Sequence, residues 1–309
     1  MIFLSILIPC HNYDCTELVC ELYIQSSLFY RDIEIIVGDD CSTQKIIDLD
    51  KIRQRIVSLG LDFVGNKVKV ITSMSTIDTN ANCIPLGAGK MRNLLSYNSN
   101  GKYLLFLDSD VMPIDRQFLK KYIDNIDNST ANSVITGGFC YDKTIPCKNY
   151  LLKYYYGHNI ETKSLGYRKS HRYNTFISMN FLVRRDIYER NPMHDIVSMG
   201  YEDALWASTL KGNNVDIHHI DNPVLHNIKE NNRQFLYTTY RYVDNLRLYK
   251  EFFPKGTVRL LDLYNRIYIF HPLLKIVSSI LTKPMERLLL RYPKKIRLFL
   301  FLKLLRIFK

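Results

Sequence analysis

The chain has little of what marks several familiar protein classes. Its cysteines number seven: Cys10, Cys15, Cys20, Cys41, Cys83, Cys140 and Cys147. The count is odd, the spacing is irregular and no Cys-x-x-Cys occurs. That disfavours a disulfide framework or a zinc site and suits a reducing cytoplasm. No uncharged apolar stretch reaches the roughly 18 residues that a membrane-spanning helix needs. The start is apolar but carries no basic segment, and its apolar run stops at Pro9, too early for a signal peptide. There is no internal repeat and no low-complexity segment. A full Gly-x-Gly-x-x-Gly is missing too. Gly87-Ala88-Gly89 does not follow directly from a strand, which disfavours a dinucleotide-binding dehydrogenase.

What is present points to a large α/β domain with an appendage. At 309 residues and 47% apolar content, the chain can bury a sizeable core. Its formal charge of +12 is unevenly placed. From Pro254 to Lys309 there are 13 Lys/Arg against 2 Asp/Glu, a net of +11, which leaves the rest near neutral at +1. A basic tail on a neutral body points to an anionic surface.

The stretch Gly101-Lys102-Tyr103-Leu104-Leu105-Phe106-Leu107-Asp108-Ser109-Asp110 organises the reading. Tyr103 to Leu107 reads as a short buried strand. It ends in two carboxylates one residue apart, at the strand end where open α/β sheets bind ligands. Neighbouring carboxylates repel unless a cation lies between them. Asp108 and Asp110 therefore point to a divalent metal shared with a substrate diphosphate. The plainer alternative is an acidic loop capping the next helix.

Similar strand ends recur along the chain. Ile2 to Ile8 reads as a strand leading to Pro9-Cys10-His11-Asn12. A helix is expected over Thr16 to Tyr30. Glu34 to Val37 is a second strand, ending at Gly38-Asp39-Asp40, and a helix with Ile46, Ile47, Ile52 and Ile56 follows. Val68 to Thr72 is a third strand. Strands alternating with helices predict a doubly wound, mostly parallel sheet. Further on, Phe118 to Ile126 reads as a helix and Val134 to Phe139 as a strand. Lys148 to Arg172 lacks periodicity and reads as a substrate-side loop. A strand is expected within Thr175 to Arg184, a helix opened by Gly200-Tyr201-Glu202-Asp203 and running to Gly212, and a strand over Val215 to Ile220.

Several of these residues could carry chemistry. Asp39 and Asp40 can accept from a base's N–H or from ribose hydroxyls, with His11 and Asn12 clasping the same base. Simple turn roles are the alternative. Lys90 and Arg92 at a helix start can neutralise phosphate. Glu202 and Asp203 either cap a helix or supply a general base. His226 is either structural or completes a metal site.

Taken together, Ser5-Ile6-Leu7-Ile8-Pro9-Cys10-His11-Asn12, Glu34-Ile35-Ile36-Val37-Gly38-Asp39-Asp40-Cys41-Ser42-Thr43, Arg92-Asn93 and Leu107-Asp108-Ser109-Asp110 resemble family 2 glycosyltransferases of the GT-A fold. Gly200-Tyr201-Glu202-Asp203, Asn222-Pro223-Val224 and His226 resemble the second half of that family, in the style of bacterial surface-polysaccharide members. The likeness covers about Met1 to Phe235. It implies that the Pro9 to Asn12 turn and Asp40 hold the nucleotide base, with Asp39 beside it, and that Arg92 faces the diphosphate or ribose. It further implies that Asp108, Ser109 and Asp110 meet the sugar nucleotide, with Mn²⁺ or Mg²⁺ on Asp110, Asp108 and His226. Asp203, beside Glu202, would deprotonate the acceptor hydroxyl in a single inverting displacement. Two features depart from the family: Cys10-His11 stands where Thr or Ser and Tyr are commoner, and Gly38 replaces an apolar residue.

Residues 236–309 are expected to form a helical, basic, membrane-associating region after a catalytic domain over 1–235. In Lys294 to Lys309, taken as a helix, most cations share one half of the circumference. That pattern reads as a helix in a membrane interface; packing on the domain or on a partner is the alternative. The whole reads as a cytoplasmic enzyme at the inner face of the membrane. It would pass a sugar from a nucleoside-diphosphate donor, expected to be UDP-linked, to a glycan or lipid-linked acceptor, without nucleic acid. The competing functions are a sugar-1-phosphate nucleotidyltransferase and a non-catalytic nucleotide-sugar-binding scaffold. The first should show a Gly-rich, Arg-containing loop after the first strand, where Pro9-Cys10-His11-Asn12 stands.

Overall fold

The computed structural model describes residues 2–73, 83–126, 132–195 and 200–309. In chain order it runs β1 (Leu4–Cys10), α1 (Thr16–Ser26), β2 (Ile33–Asp39), α2 (Leu49–Ser58), β3 (Val68–Thr72), α3 (Ala88–Tyr97), β4 (Tyr103–Leu107), β5 (Val111–Pro113) and α4 (Phe118–Ile126). Then come β6 (Ser133–Thr136), β7 (Phe139–Cys140), α5 (Leu151–Tyr156), α6 (Leu165–Ser170), β8 (Asn180–Arg184), α7 (Arg185–Arg190) and α8 (Glu202–Gly212). The chain closes with β9 (Asp216–His219), β10 (Val224–His226), α9 (Asn232–Leu248), α10 (Arg259–Arg266), α11 (His271–Arg291) and α12 (Ile296–Ile307).

Two compact units result. The first takes in Met1–Phe139, Leu165–Ser198 and Thr209–His226. The second takes in Cys140–Ser164, Met199–Ser208 and Asn227–Lys309. The boundary expected between residues 235 and 236 falls inside α9.

The first unit is a mixed α/β layer structure around a seven-stranded sheet of order β3-β2-β1-β4-β8-β6-β9. Most pairs are parallel; β8 is antiparallel to both β4 and β6. The chain builds outward from β1 through β2 to β3, then returns to lay β4 on the other side of β1. That reversal creates a switch point between β1 and β4, where such sheets open a crevice at their carboxyl ends. The register aligns those ends: Cys10 lies opposite Asp39, and Leu7 lies opposite Phe106. The central strands are apolar on both faces, as a sheet covered on both sides requires. The exceptions inside these strands are Ser5 in β1 and, the charged one, Glu34 in β2. Glu34 is buried, and its carboxylate accepts from the Ser5 hydroxyl at 2.7 Å, Asn100 N at 2.7 Å and Lys69 Nζ at 2.9 Å. Burial opposes its charge, but these partners hold its pKa below the usual carboxylate value.

Gly38, which the sequence left unexplained, has a packing reason. A Cβ there would lie 2.7 Å from Met91 Sδ and 3.0 Å from Leu95 Cδ2, so its absence lets α3 lie close on β2.

Several expectations need correction. The strand expected over Val134 to Phe139 is broken at Gly137-Gly138, with Gly138 at φ +80°. Ile46 and Ile47 are buried but precede α2, which is capped by Asp48 accepting from Lys51 N at 3.1 Å. Lys148 to Arg172 is not a loop. It holds a 3₁₀ turn, α5, a π turn over Gly157–Glu161 and α6. Its tyrosines and cations hide the period because Leu152 is the buried residue of α5. Cys41 and Cys83 are bridged, with Cα atoms 5.6 Å apart, although the cysteine pattern disfavoured disulfides. The loop after β2 and the segment before α3 bring together residues 42 apart in sequence.

The second unit has its own core, formed by Leu152, Phe235, Leu236, Tyr240, Leu289, Ile296, Phe299 and Leu302. Helix α9 starts with a capping box of Asn231 and Gln234. In α12, Phe299, Leu302 and Leu305 are buried, and Arg306 pairs with Asp244 of α9. The helix expected to lie in a membrane interface therefore turns much of its apolar surface into this core. Among the described residues, no helix is long and apolar enough to cross a membrane.

Candidate functional site

The carboxyl ends of β1, β2 and β4 carry linked polar turns. Asn12 adopts φ +51°. Its side-chain oxygen accepts from Thr43 N at 2.7 Å, and its own N–H donates to the Ser42 hydroxyl at 2.8 Å. His11 Nδ1 donates to Asp40 O at 2.6 Å, leaving Nε2 to accept from the Asn12 amide at 3.0 Å. One neutral tautomer satisfies both contacts. Asp39 accepts from Ser42 N at 2.9 Å. Asp40 is almost fully buried, and its carboxylate accepts from Leu86 N at 2.7 Å and Gly87 N at 2.9 Å. It thus fixes the start of α3, where Gly87 sits at φ +86°. This structural use competes with the expected contact to a nucleotide base.

Arg92 is the residue expected to face a diphosphate or ribose. It is only 3% exposed, and its guanidinium pairs with the Asp108 carboxylate. Lys90, on the same helix, pairs with Asp195 at 3.1 Å. A charge-paired Arg beneath Asp108 orients that carboxylate and sets its direction.

Beyond Ser109 the chain turns into β5, which pairs antiparallel with β10, His226 opposite Val111. This ladder brings Asp110 and His226 together, Oδ2 to Nε2 3.3 Å, with Phe139 edge-on to the imidazole at 6.3 Å. Both side chains remain partly open to solvent. Among the described residues, no group of three or more His, Cys, Asp or Glu is arranged to hold a metal. Asp110 and His226 supply one hard oxygen and one imidazole nitrogen. A Mn²⁺ or Mg²⁺ ion shared with a diphosphate suits such a partial donor set, because the phosphates complete the coordination.

The residues that support β10 were not foreseen. Asn180, at the start of β8, is fully buried. Its amide donates to Gly138 O at 2.8 Å and Asn222 O at 2.9 Å, and its oxygen accepts from the Tyr122 hydroxyl at 2.7 Å. Asn222 in turn donates to Phe118 O at 2.9 Å. Gly137 has no space for a side chain, since a Cβ would lie 2.1 Å from Asn222 O. Arg168 packs on Gly138 and donates to Ile220 O at 3.0 Å and His219 Nδ1 at 3.2 Å. This buried network holds the Asn222-Pro223 turn that leads into His226. The available signal was a lone amide opening the otherwise apolar Phe181-Leu182-Val183 run, in a chain that also has Gly137-Gly138.

In the second unit, Gly200 sits at φ +78° and a Cβ there would lie 2.1 Å from Tyr242 Cγ, so only glycine fits. The Tyr201 ring faces Phe253 edge-on at 6.5 Å and lies under Lys303 Nζ at 5.6 Å. Tyr201 O accepts from Leu205 N at 3.1 Å and opens α8. Glu202 and Asp203 therefore sit in a helix first turn set on a tightly packed corner. Burial, then the Glu202 charge, raises the pKa of the Tyr242 hydroxyl. Burial opposes the charge of Lys303, yet Tyr201, Tyr156 and Glu161 raise its pKa overall.

No protein-family model matches the chain, and no curated protein matches its sequence. Solved structures do resemble it. One is glucosyl-3-phosphoglycerate synthase from Mycobacterium tuberculosis with Mn²⁺, UDP and glucosyl-3-phosphoglycerate, at TM-score 0.48, 14% identity and 82% of each chain. Another is S. aureus TarS residues 1–349 with UDP-GlcNAc, at TM-score 0.49 and 16% identity, over 98% of this chain and 90% of that one. A third is the mannosyltransferase PcManGT from Pyrobaculum calidifontis with GDP-Man and Mn²⁺, at TM-score 0.48 and 11% identity, over 79% and 61%.

Proposed function

We propose that this chain is an inverting, metal-dependent glycosyltransferase. It moves a sugar from a nucleoside-diphosphate donor, UDP-linked in the simplest reading, to a glycan or lipid-linked acceptor in bacterial surface-polysaccharide synthesis. The observation that carries the reading is the meeting of Asp110 and His226, 116 residues apart, at the carboxyl end of β4. A purely structural pair would not require the rim of the β1/β4 switch point.

In this reading Asp110 and His226 hold Mn²⁺ or Mg²⁺, with Asp108 beside them. When bound, the metal neutralises charge on the leaving diphosphate. Arg92 keeps the Asp108 carboxylate in one orientation. Asp39 accepts from the donor's base or ribose, and the His11 ring and Asn12 turn form the floor below it. Asp203 takes the proton of the acceptor hydroxyl, and Glu202 shares its helix turn. The basic C-terminal region keeps the enzyme at the inner face of the membrane, where a lipid-linked acceptor is presented.

The test is a panel of UDP- and GDP-sugars with and without Mn²⁺, scored by thermal shift and donor hydrolysis. At least one donor should stabilise the protein only when the metal is present. Asp110→Asn and His226→Ala should abolish that metal-dependent shift. A panel in which no donor stabilises the fold would overturn the reading.

A further inference from the structure

Helix α11 is built inside out. Its buried positions include Ser278, at 0% exposure, and Thr282. Their hydroxyls are satisfied within the helix: Thr282 donates to Ser278 O, and the two oxygens lie 3.4 Å apart. Leu289 is buried too, but a row of aliphatic residues faces solvent, with Ile276 60% and Ile280 66% exposed and Leu273 beside them. Spacings of three and four put these on one face. The preceding 3₁₀ turn, Tyr268–Phe270, extends the apolar surface with Ile269, 82% exposed, and Phe270. An ordinary amphipathic helix in a soluble protein has the opposite arrangement.

The occupant follows from the charges around this face. Lys275, Lys283, Arg287 and Arg291 of α11 are exposed, and Glu286 is its sole acid. A second copy presenting the same face would bring like charges together. An anionic bilayer offers acyl chains to the aliphatic row and headgroup charge to the flanking cations. At 21 residues with interspersed cations, the helix is not apolar enough to cross a bilayer.

We infer that the exposed face of α11, together with the Tyr268–Phe270 turn, is the surface that inserts into an anionic phospholipid interface, and that α12 is not. This rests on the membrane-associated part of the reading above and moves its seat. Helix α12 holds the second unit together through Phe299, Leu302 and Leu305, while α11 presents its aliphatic face outward.

The experiment is co-sedimentation of the full chain with vesicles, without donor or acceptor. One vesicle set is phosphatidylcholine with phosphatidylglycerol, the other pure phosphatidylcholine. The wild type should pellet with the anionic vesicles and much less with the neutral ones. Ile269→Glu/Ile276→Glu/Ile280→Glu should weaken binding at least about tenfold with an unchanged circular dichroism spectrum, since these side chains contact solvent. Lys275→Gln/Lys283→Gln/Arg287→Gln should weaken anionic-vesicle binding while leaving the apolar row intact. Leu300→Ser/Phe301→Ser on α12 should bind like wild type. Three results would each overturn the inference: wild type that stays in the supernatant, equal pelleting with both vesicle sets, or an aliphatic triple variant that still pellets. So would an aliphatic triple variant that keeps its vesicle binding and turns a dimer into a monomer by sedimentation velocity. Nucleotide binding is scored separately on the same samples, so a failure here leaves the transfer reading standing, and the reverse also holds.

Discussion

Asn180→Leu is the most informative single change in the first unit. The substitution keeps the branched shape and heavy-atom count of the side chain but removes an amide that makes three hydrogen bonds. Not all of its partners are left bare. Gly138 O retains Val224 N at 3.2 Å, and the Tyr122 hydroxyl can turn to Asn180 O at 3.3 Å. Asn222 O loses its donor inside the fold. Each buried polar group left unmatched costs roughly 1–3 kcal/mol. One full loss and two partial ones therefore give a destabilisation of about 3 kcal/mol. Tyr122→Phe removes the hydroxyl that bridges Asn180 and Gly137 N, the latter at 3.0 Å. In the double variant that hydroxyl is already gone when its partner is lost. The combined cost should fall short of the sum by about 1 kcal/mol. Denaturant unfolding of the four proteins measures both quantities. Nucleotide binding with Mn²⁺ should weaken alongside, because the same network carries the turn into His226. Strict additivity, or a loss below about 0.5 kcal/mol, would refute the claim that this network is cooperative.

Other outcomes follow from single sites. Burial, chiefly, depresses the His219 imidazole to about 4, with the Arg168, His218 and Arg172 charges adding to it. Above its unfolded value near 6.5 both states are neutral and the group contributes nothing to pH dependence. As pH falls from about 6.5 toward about 4, the unfolded chain binds the proton first, so stability should drop by about 3 kcal/mol across that window. His219→Asn should flatten that part of the profile; a parallel slope in both proteins would contradict it. Gly200→Ala should destabilise by more than about 1 kcal/mol, because it strains φ +78° and drives a methyl into the Tyr242 ring. A neutral effect on the melting temperature would contradict that packing. Reducing the Cys41–Cys83 bridge, which closes a loop of 42 residues, should cost up to about 4 kcal/mol. Melting curves that coincide with and without reductant would show that the bridge does not constrain the chain.

The parts of the fold visible in the sequence are those with dense local signals. The apolar runs of β1, β2 and β4 are buried on both faces and end in polar turns, so both existence and order could be read. The start of α8 was legible because Gly200 and two acids mark a helix N-terminus. The approach of Asp110 to His226 could be read from strand ends, but the other pairings around it could not. That Arg92 lies beneath Asp108, and that Asp40 is committed to the backbone of Leu86 and Gly87, depends on tertiary packing with no local period. Asn180 and Tyr122 are 58 residues apart, and nothing near either one advertises the other. The tail misled for a related reason. Helix α12 is apolar nearly all round, which fits a membrane face and a buried core equally well. The polar Ser278 and Thr282 in α11 gave no hint that they, and not the isoleucines, would face inward.

The central claim concerns two roles kept apart: holding a metal-bound donor and taking the acceptor's proton. The direct measurement compares Asp110→Asn and Asp203→Asn with wild type, by titrating the best-stabilising sugar nucleotide with Mn²⁺ and then measuring turnover on the same preparations. Asp110→Asn should lose metal-dependent binding. Asp203→Asn should bind the donor as wild type does while turnover falls by about 10²–10⁴-fold. Unchanged turnover in Asp203→Asn, or unchanged metal-dependent binding in Asp110→Asn, would contradict the account.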